Sequence, residues 1–494
     1  MNDENDDSKE LLRGLQSDAA EVEKELVLKK KERAPAILKT FFLFASAAVL
    51  VIFLFILAFS FAINKYTKTF KTPHVRMLSD GMQADLDSVL SRSFSLLHPL
   101  PYNINIPHLS IKSKSAILID ADNGFILFEK NADRVIAPAS LTKLVVMYVA
   151  MKDVVSEKIA LSDIVPLPPQ SWAVNAPIGS SLMFLGDGQR VTLEELLRGM
   201  AVVSGNDAAV AVACYISGST AEFVKRMNAE IAELGLTQTH FVEPTGYSEE
   251  NKTTAREFAA FCRVYLEKFP QTIEQFHNVR KFTYPQEHNL PVNYVQKSAI
   301  AGTLPVAQEP TNKVLMKIQG ADGLKTGFIN ESGYNLALTV NRDETRFISV
   351  TLGGIGANTN EGNYYRLADS EQLMDWAYST FKTYKSTEND CFPVSVFGGE
   401  INALNLIPAK VTKKFSIPVP ISEKTVEVFT ELPKFLKAPI QVGEVFGSLV
   451  YSQGDFVLER VPLIADRTID SGTSIKRIID NCALKRCFPD NSEK

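Results

Sequence analysis

Cysteine and histidine are scarce in this sequence, and neither occurs in a pattern typical of a metal or redox site. The five cysteines, Cys214, Cys262, Cys391, Cys482 and Cys487, include no Cys-x-x-Cys pair. The six histidines form no His-Glu-x-x-His or His-x-x-x-His motif, which excludes the signatures of structural zinc sites and of metalloproteases. Cys482 and Cys487 could pair in an oxidising compartment, but nothing in the pattern requires it. We therefore expect no metal and no organic cofactor.

An excess of positive charge is also absent. Lysine and arginine number 52 against 57 aspartates and glutamates, for a net charge of −5. Without a general cationic field, the chain is not expected to bind nucleic acid. Hydrophobic residues at 45% and charged residues at 22% are typical of a folded protein and exclude a mostly disordered chain. A length of 494 residues allows two to four domains.

One long apolar run interrupts this ordinary composition. Residues 41–63 carry no charge, and at about 1.5 Å per residue they are long enough to span the hydrocarbon core of a membrane. Lys and Arg are slightly more numerous on the N-terminal side, which favours a cytoplasmic N-terminus and a translocated C-terminal part. We predict an uncleaved, single-pass signal anchor in a bacterial cytoplasmic membrane. Cleavage after Ala62 is the alternative. The charged residues 1–40 are predicted to form a cytoplasmic tail.

The order of the predicted elements beyond the anchor indicates an α+β fold. Residues 64–108 are predicted to form a connector that contains an amphipathic helix over 77–97. A tight turn at 122–124 between two short apolar runs predicts a β-hairpin. Strands, then many helices, then strands again predict an antiparallel sheet covered by helices over residues 109–390. The predicted helices are 140–155, 193–203, 207–217, 219–234, 254–268 and 368–384, and the later strands are 324–328, 334–340 and 347–352.

The pattern of apolar residues changes in the C-terminal part of the chain. Short apolar runs separated by turn residues predict a small β-sandwich domain over 391–470. In the tail, 471–494, Ile475, Ile478, Ile479 and Cys482 share one face of a helix. That tail is read either as a short helix at the membrane interface or as a frayed end.

Three short motifs carry the candidate chemistry. They are Ser-x-x-Lys at Ser140 and Lys143, Ser-Gly-Asn at 204–206, and Lys-Thr-Gly at 325–327. A single copy has little weight, because Ser-x-x-Lys also occurs at Ser379 and Lys382. The three in this order are far more specific.

The local context of Ser140 and Lys143 suits a nucleophile and its base. Ser140 begins a predicted helix after Pro138, and three residues of helix place the Lys143 amine on the same face as the serine hydroxyl. A lysine with an ordinary pKa near 10.4 is almost entirely protonated at neutral pH and cannot accept a proton. We expect burial and a second cation, Lys325, to lower the pKa of Lys143. Ser140 lies outside a Gly-x-Ser-x-Gly elbow, which argues against an α/β-hydrolase.

These motifs resemble the signatures of the serine D-alanyl-D-alanine carboxypeptidases, the low-molecular-weight penicillin-binding proteins. The resemblance covers residues 109–385, and 392–470 is similar to the β-rich domain that follows in this family. It implies a β-lactamase/transpeptidase-like catalytic fold. The stretches that carry the resemblance are Ala139-Ser140-Leu141-Thr142-Lys143, Ser204-Gly205-Asn206-Asp207-Ala208, Asp322-Gly323-Leu324-Lys325-Thr326-Gly327, Leu234-Gly235-Leu236-Thr237, Thr254-Ala255-Arg256 and Gly333-Tyr334-Asn335-Leu336.

The family's catalytic roles carry over to the first two motifs. The resemblance implies that Ser140 attacks the carbonyl of the penultimate D-alanine in a peptidoglycan stem peptide, and that Lys143 takes its proton. Ser204 and Asn206 would relay protons and bind the substrate amide. An acyl-enzyme would form and then be hydrolysed. β-Lactams would acylate Ser140 and leave slowly.

The third motif is implied to bind the substrate. Lys325 and Thr326 would hold the terminal carboxylate, in a substrate-binding strand that includes Gly327 and Phe328. The backbone amides of Ser140 and Phe328 would form the oxyanion hole.

Departures from the family pattern leave other functions to consider. Phe328 replaces a small polar residue or histidine, Glu243-Pro244-Thr245-Gly246-Tyr247 replaces a stretch that usually contains Asn or His, and 286–311 resembles an insertion. A class A β-lactamase is one alternative, although Gly205 replaces its usual Asp and no Glu-x-x-Leu-Asn motif is present. A membrane-tethered, non-catalytic module that binds peptidoglycan is another. Cleavage of peptide crosslinks by the same site is a third.

Overall fold

The computed structural model describes residues 4–70, 76–77, 96–100, 102–291, 305–385, 391–409, 416–421 and 424–488. The connector helix predicted over 77–97 and the middle of the predicted insertion lie almost entirely outside these residues. The α-helices of the described part are α1 (Glu4–Thr67), α2 (Thr142–Val155), α3 (Leu193–Val202), α4 (Asn206–Ser217), α5 (Thr220–Glu233), α6 (Ala255–Lys268), α7 (Thr359–Thr380) and α8 (Ser474–Cys487).

The strands fall into two large sheets and three two-stranded pairs. They are β1 (Arg76–Met77), β2 (His98–Pro99), β3 (Ser115–Asp120), β4 (Phe125–Lys130), β5 (Ile164–Val165), β6 (Val191–Thr192), β7 (Phe282–Thr283), β8 (Ala307–Gln308), β9 (Ala321–Ile329), β10 (Gly333–Arg342), β11 (Thr345–Gly354), β12 (Phe381–Lys385), β13 (Phe392–Phe397), β14 (Ala403–Pro408), β15 (Ser416–Pro420), β16 (Val426–Leu432), β17 (Leu436–Lys437), β18 (Val445–Gln453) and β19 (Phe456–Ala465).

The first large sheet has the strand order β2-β4-β3-β11-β10-β9 and is antiparallel except for the β2–β4 pair. Side chains of successive residues enter different cores: Ile117 and Ile119 pack with helices α2 to α6, whereas Ala116 and Leu118 pack with α7. The sheet is therefore buried on both faces, which explains why β3, β10 and β11 are buried at almost every position. This arrangement confirms the predicted α+β class, and it leaves β9 as an open edge.

Most predicted elements are present, with corrected ends. The β3–β4 hairpin, the helices and the three later strands are found where they were expected. Helix α7 begins at Thr359 rather than at 368, because Asn358 caps it by accepting a hydrogen bond from the Glu361 backbone N–H. Strand β9 begins at Ala321 rather than at the predicted 324, and Ala321 and Gly323 already pair with β10.

The C-terminal part forms a second sheet with the order β1-β16-β18-β19-β14-β13-β17. A separate pair, β12 with β15, joins the end of α7 to this region. Alternating residues such as Leu449 and Tyr451 on β18, and Val461 and Leu463 on β19, are buried in its core. The prediction that the chain continues into a small all-β domain is thus confirmed.

Helix α1 contains a segment, Lys39–Thr67, that is long and apolar enough to cross a membrane, and the side chains of its most apolar stretch are not buried against the rest of the protein. Its last turn meets the C-terminal helix α8. The Tyr66 hydroxyl donates to Asp480 Oδ1 at 2.7 Å and accepts from Asn402 Nδ2 at 2.9 Å, while the Phe70 ring stacks on Phe397 at 4.1 Å. Helix α8 therefore packs between the end of α1 and the C-terminal sheet.

The face of α8 that packs against the protein is a different one from the apolar face that the sequence assigned to a membrane interface. Asp480, Ala483 and Leu484 are buried, whereas Ile475 and Ile478 are 73% and 62% exposed. The alternative of a frayed tail is wrong for residues 474–487. The helix is held in place by Asp480, which accepts hydrogen bonds from Tyr66 and from the Gly398 backbone N–H.

Candidate active site

The serine and lysine of the first motif meet at the start of α2. Ser140 lies in a 3₁₀ turn, Ala139–Leu141, that leads directly into the helix. Lys143 follows in the first turn and is fully buried, with its Nζ 3.0 Å from Ser140 Oγ. The three-residue spacing thus places amine and hydroxyl on one face, as the sequence predicts.

The partners of Lys143 determine which way a proton can move. Its Nζ is 2.7 Å from Asn206 Oδ1 and 2.5 Å from the Thr245 carbonyl oxygen, in addition to Ser140 Oγ. The amide and carbonyl oxygens can only accept hydrogen bonds, whereas a serine hydroxyl can accept or donate. A neutral amine can give its two N–H groups to Asn206 and Thr245, which leaves its lone pair for the Ser140 hydroxyl. The arrangement suits a general base for Ser140.

The charge on Lys143 is governed mainly by burial. Loss of solvation lowers the pKa of Lys143 to about 7, while the Glu243 and Asp207 carboxylates act in the opposite direction. The predicted lowering is found, but burial, rather than Lys325, is its main cause. The charge of Lys143 nevertheless affects Lys325. The pKa of Lys325 is lowered mainly by burial, then by the charge of Lys143 and then by that of Arg366.

This protonation equilibrium predicts a pH dependence. Because only the neutral Lys143 amine can accept a proton, the acylation of Ser140 should rise with pH and level off above about pH 7. The second-order rate constant for acylation by penicillin, measured with the full chain in detergent, tests this. Spontaneous hydrolysis of penicillin without protein is the control. A rate that rises only near the ordinary lysine pKa of about 10.4 would contradict the assignment.

The second motif occupies the turn between α3 and α4. Ser204 is buried and has a φ of 63°, a left-handed conformation that is uncommon outside glycine. Asn206 begins α4, and its backbone N–H donates to the Ser181 carbonyl at 2.8 Å. The next residue, Asp207, accepts from the backbone N–H groups of Met183 and Leu185. These hydrogen bonds to Asp207 therefore hold the 181–185 segment next to Asn206.

The third motif lies on the open edge strand β9. Lys325 is fully buried, and its Nζ donates to the Thr326 carbonyl at 2.9 Å. Thr326 is also buried, with 5% of its surface exposed. A Cβ at Gly327 would lie 2.7 Å from the Pro138 carbonyl oxygen and 3.1 Å from the Ser140 nitrogen. Glycine is therefore required where β9 passes the nucleophile turn, and the first and third motifs are in contact.

A cavity of about 580 Å³ opens over these elements. Ser140 and Asn206 line it together with Phe328, Tyr247 and Ser180. Phe328 is 46% exposed and packs on the Tyr334 ring at a centroid distance of 4.4 Å. The side chain at 328 thus forms part of the cavity wall instead of a polar contact. The cavity gives a peptide access to both Ser140 and the edge of β9.

Several residues of the site were not singled out in the sequence. The Thr245 carbonyl is a direct partner of Lys143, and Arg366 donates to the Gly327 carbonyl from α7. A backbone carbonyl has no sequence signal, and an arginine 39 residues from its partner has no local one. Glu243 was noted only as a departure from a family pattern. Among the described residues, no group of three or more His, Cys, Asp or Glu is placed to hold a metal ion.

Comparison with protein families gives a match to two adjacent models. Residues 103–356 match the model described as D-alanyl-D-alanine carboxypeptidase, peptidase S11, and residues 378–471 match the C-terminal domain of penicillin-binding protein 5. The first covers the sheet and helices around Ser140, and the second covers the C-terminal all-β part.

Individual relatives agree with the family models. The D-alanyl-D-alanine carboxypeptidase DacF of Bacillus subtilis is 33% identical over 72% of this chain and 86% of its own length. DacC of Escherichia coli is 30% identical over 76% of this chain and 89% of its own. The crystal structure of penicillin-binding protein 5 from Haemophilus influenzae has a TM-score of 0.64 at 28% identity, covering 74% of this chain and all of the other. On the motifs, the fold and these matches together, the chain belongs to the D-alanyl-D-alanine carboxypeptidase family of serine penicillin-binding proteins.

Proposed function

We propose that this protein removes the terminal D-alanine from peptidoglycan stem peptides through an acyl-enzyme on Ser140. One observation carries the proposal: the Lys143 amine lies 3.0 Å from Ser140 Oγ, and its other two partners can only accept. A serine with such a base beside it is the activated nucleophile of covalent catalysis. The family membership supplies the reaction class.

Acylation begins at the Ser140 hydroxyl. Its oxygen attacks the carbonyl carbon of the penultimate D-alanine as the proton passes to Lys143, and the carbonyl oxygen becomes an oxyanion. The backbone amides of Ser140 and Phe328 would stabilise that charge. When the intermediate collapses, the C–N bond breaks and the terminal D-alanine leaves as an amine that takes a proton from Lys143. Ser204 and Asn206 are proposed to pass this proton and to bind the substrate amide.

Binding of the terminal carboxylate is assigned to the third motif. Lys325 and Thr326 lie on the edge strand that borders the cavity wall at Phe328, where an extended peptide can add to the sheet. A carboxylate beside the buried Lys325 would favour its charged form and offset the burial that lowers its pKa. Gly327 permits the close approach of this strand to Ser140.

Deacylation needs only water and the same base. Water attacks the Ser140 ester, gives a proton to Lys143, and the serine oxygen recovers a proton as the shortened peptide leaves. A β-lactam carries a comparable carboxylate and acyl group, and opening of its ring leaves no fragment to depart. We propose that β-lactams therefore acylate Ser140 and are released slowly.

The location of this activity follows from α1. We propose that residues 41–63 cross the bacterial cytoplasmic membrane once, with the tail 1–40 inside and the catalytic part, 109–390, outside, where peptidoglycan lies. The connector 64–108, the β-sandwich 391–470 and the tail 471–494 complete the proposed division of the chain. The apolar Lys39–Thr67 segment and the packing of Tyr66 on α8 support a catalytic part held close to the membrane.

Two assays of the full chain in detergent test the proposal. We expect release of free D-alanine from a pentapeptide ending in D-Ala-D-Ala, and a stable mass increase of one penicillin per chain in intact-protein mass spectrometry. Rapid penicillin turnover without a stable adduct would favour a class A-like β-lactamase. Neither adduct nor turnover, with no D-alanine released, would favour the non-catalytic peptidoglycan-binding module.

A further inference from the structure

The loop over residues 242–251 lies directly behind the proposed base, and Glu243 organises it. Glu243 Oε2 accepts from the Thr245 backbone N–H at 2.7 Å and from the Thr245 hydroxyl at 2.5 Å. Its Oε1 accepts from the backbone N–H groups of Gly246 at 2.7 Å and Ser248 at 3.3 Å, and from Asn251 Nδ2 at 2.9 Å. One carboxylate thus gathers five donors from this short loop.

Asn251 connects this loop to the helix that carries the base. It is fully buried, and its Oδ1 accepts from the Val242 backbone N–H at 2.7 Å. Its Nδ2 lies 3.2 Å from the hydroxyl of Thr142, the residue before Lys143. The loop is therefore joined to the start of α2 as well as to itself.

The far side of the loop touches the nucleophile. Gly246 has a φ of 79°, and a Cβ there would lie 1.9 Å from the Ala139 carbonyl oxygen and 2.8 Å from the Ser140 nitrogen. Thr245, whose N–H and hydroxyl are both held by Glu243, presents its carbonyl to Lys143 Nζ at 2.5 Å. A shift of the loop would therefore move the lysine's partner and the serine's surroundings together.

Charge adds to this positional effect. The charged groups that act on Lys143 are the carboxylates of Glu243 and Asp207, and the buried Lys325 ammonium is influenced by it in turn. Asp207 accepts from backbone N–H groups of the 183–185 segment and has no hydrogen bond to the 242–251 loop among the described residues. Glu243 is therefore the carboxylate that links the charge on Lys143 to the geometry of Thr245.

We propose that Glu243 is a positioning residue for the base: it holds the Thr245 carbonyl against Lys143 and supplies the negative charge that favours the ammonium formed when Ser140 gives up its proton. This inference rests on the proposed function, in which Lys143 takes that proton. It concerns a residue that departs from the pattern usual in the family.

Glutamine at this position cannot reproduce the contacts. Both carboxylate oxygens face backbone N–H groups, which can only donate. In either orientation of a glutamine amide, its NH₂ group would therefore oppose a donor. Glu243→Gln removes the charge with little change in size and releases half of the loop contacts, whereas Glu243→Asp keeps the charge and shortens the side chain.

The test is the pH profile of penicillin acylation by the full chain in detergent. For Glu243→Gln we expect the rate constant on the plateau to fall by about ten-fold, since the base is no longer held. Loss of a nearby negative charge disfavours the ammonium, so the midpoint of the rise should move to lower pH. An unchanged or higher midpoint would overturn the proposal, because a merely structural residue would not shift it in this direction.

Glu257→Gln is the matched control. The Glu257 carboxylate also accepts several hydrogen bonds from a loop, from the Gln238 backbone N–H and the Thr239 hydroxyl, but has no contact with the Lys143 site. This variant should unfold at a lower temperature and keep the wild-type midpoint and plateau.

Glu243→Asp distinguishes the effect of the negative charge from the effect of the side chain's position. It also provides the test if Glu243→Gln does not fold. It should retain the wild-type midpoint with a reduced plateau, and a midpoint shifted to lower pH would overturn the proposal. The amount of chain acylated at saturation reports the folded fraction for each variant. If the wild type itself is not acylated, the proposed function fails. If the wild type is acylated and Glu243→Gln behaves identically, only the role of Glu243 fails.

Discussion

Ser140→Ala is expected to abolish the penicillin adduct and to lower D-alanine release by at least about 10⁴-fold, because it removes the oxygen that would form the acyl-enzyme. Ser140 Oγ is the hydroxyl partner of the buried Lys143 amine and borders the cavity. Alanine removes only that oxygen from a half-buried position, so the fold should be kept. Intact-protein mass spectrometry and release of D-alanine from a pentapeptide measure the two losses.

The chain supplies its own control for this variant. Ser379 begins the second Ser-x-x-Lys sequence, but its hydroxyl donates to the Trp376 carbonyl at 3.0 Å within α7. Ser379→Ala should therefore keep both the adduct and the activity. An adduct that persists in Ser140→Ala, or disappears in Ser379→Ala, would show that the nucleophile has been assigned to the wrong serine.

Lys143→Met is expected to lower the acylation rate by roughly 10²–10⁴-fold, the usual contribution of general acid–base catalysis. Methionine has a similar length and fills the buried position, but it cannot take the Ser140 proton. The residual rate should also lose the rise around pH 7 that the pKa of Lys143 produces in the wild type. The measurement is the second-order rate constant for acylation by penicillin as a function of pH.

Lys382→Met is the matched control for the base. Lys382 is the exposed lysine of the second Ser-x-x-Lys sequence. Its replacement should leave the rate and the pH profile unchanged. If Lys143→Met retained the wild-type rate and profile, another group would have to act as the base. If it failed to be acylated at any pH and also unfolded at a much lower temperature, Lys143→Gln would provide the comparison at the same position.

The parts of the site that the sequence predicts are those with short-range causes. Ser140 and Lys143 are three residues apart at the start of a helix, and one helical turn necessarily brings their side chains together. The nearly continuous burial of residues along β10 and β11 likewise reflects a sheet packed on both faces. The order of the three motifs was sufficient to indicate the reaction class, because each motif contributes a chemical group that the reaction needs.

Long-range packing decided the rest. Lys143 and Thr245 are 102 residues apart, yet the carbonyl of Thr245 is one of the two acceptors that orient the base. Burial of Lys143 depends on the whole surrounding core: the sequence predicted the direction of its pKa shift and burial as a cause, but not that the other charges acting on it are the Glu243 and Asp207 carboxylates. Asp480 is a polar residue that is fully buried, because its partners Tyr66 and Gly398 come from distant parts of the chain.

The sequence by itself therefore determined the fold class and the chemical groups available for catalysis, and it predicted the membrane-anchor segment. Only the tertiary structure decided which acceptors surround Lys143, why glycine is needed at 327, and that Glu243 holds the loop behind the base. The physical reason is that residue identity specifies what a side chain can donate, accept or bury. Which partner it meets depends on contacts between segments that are remote in the chain.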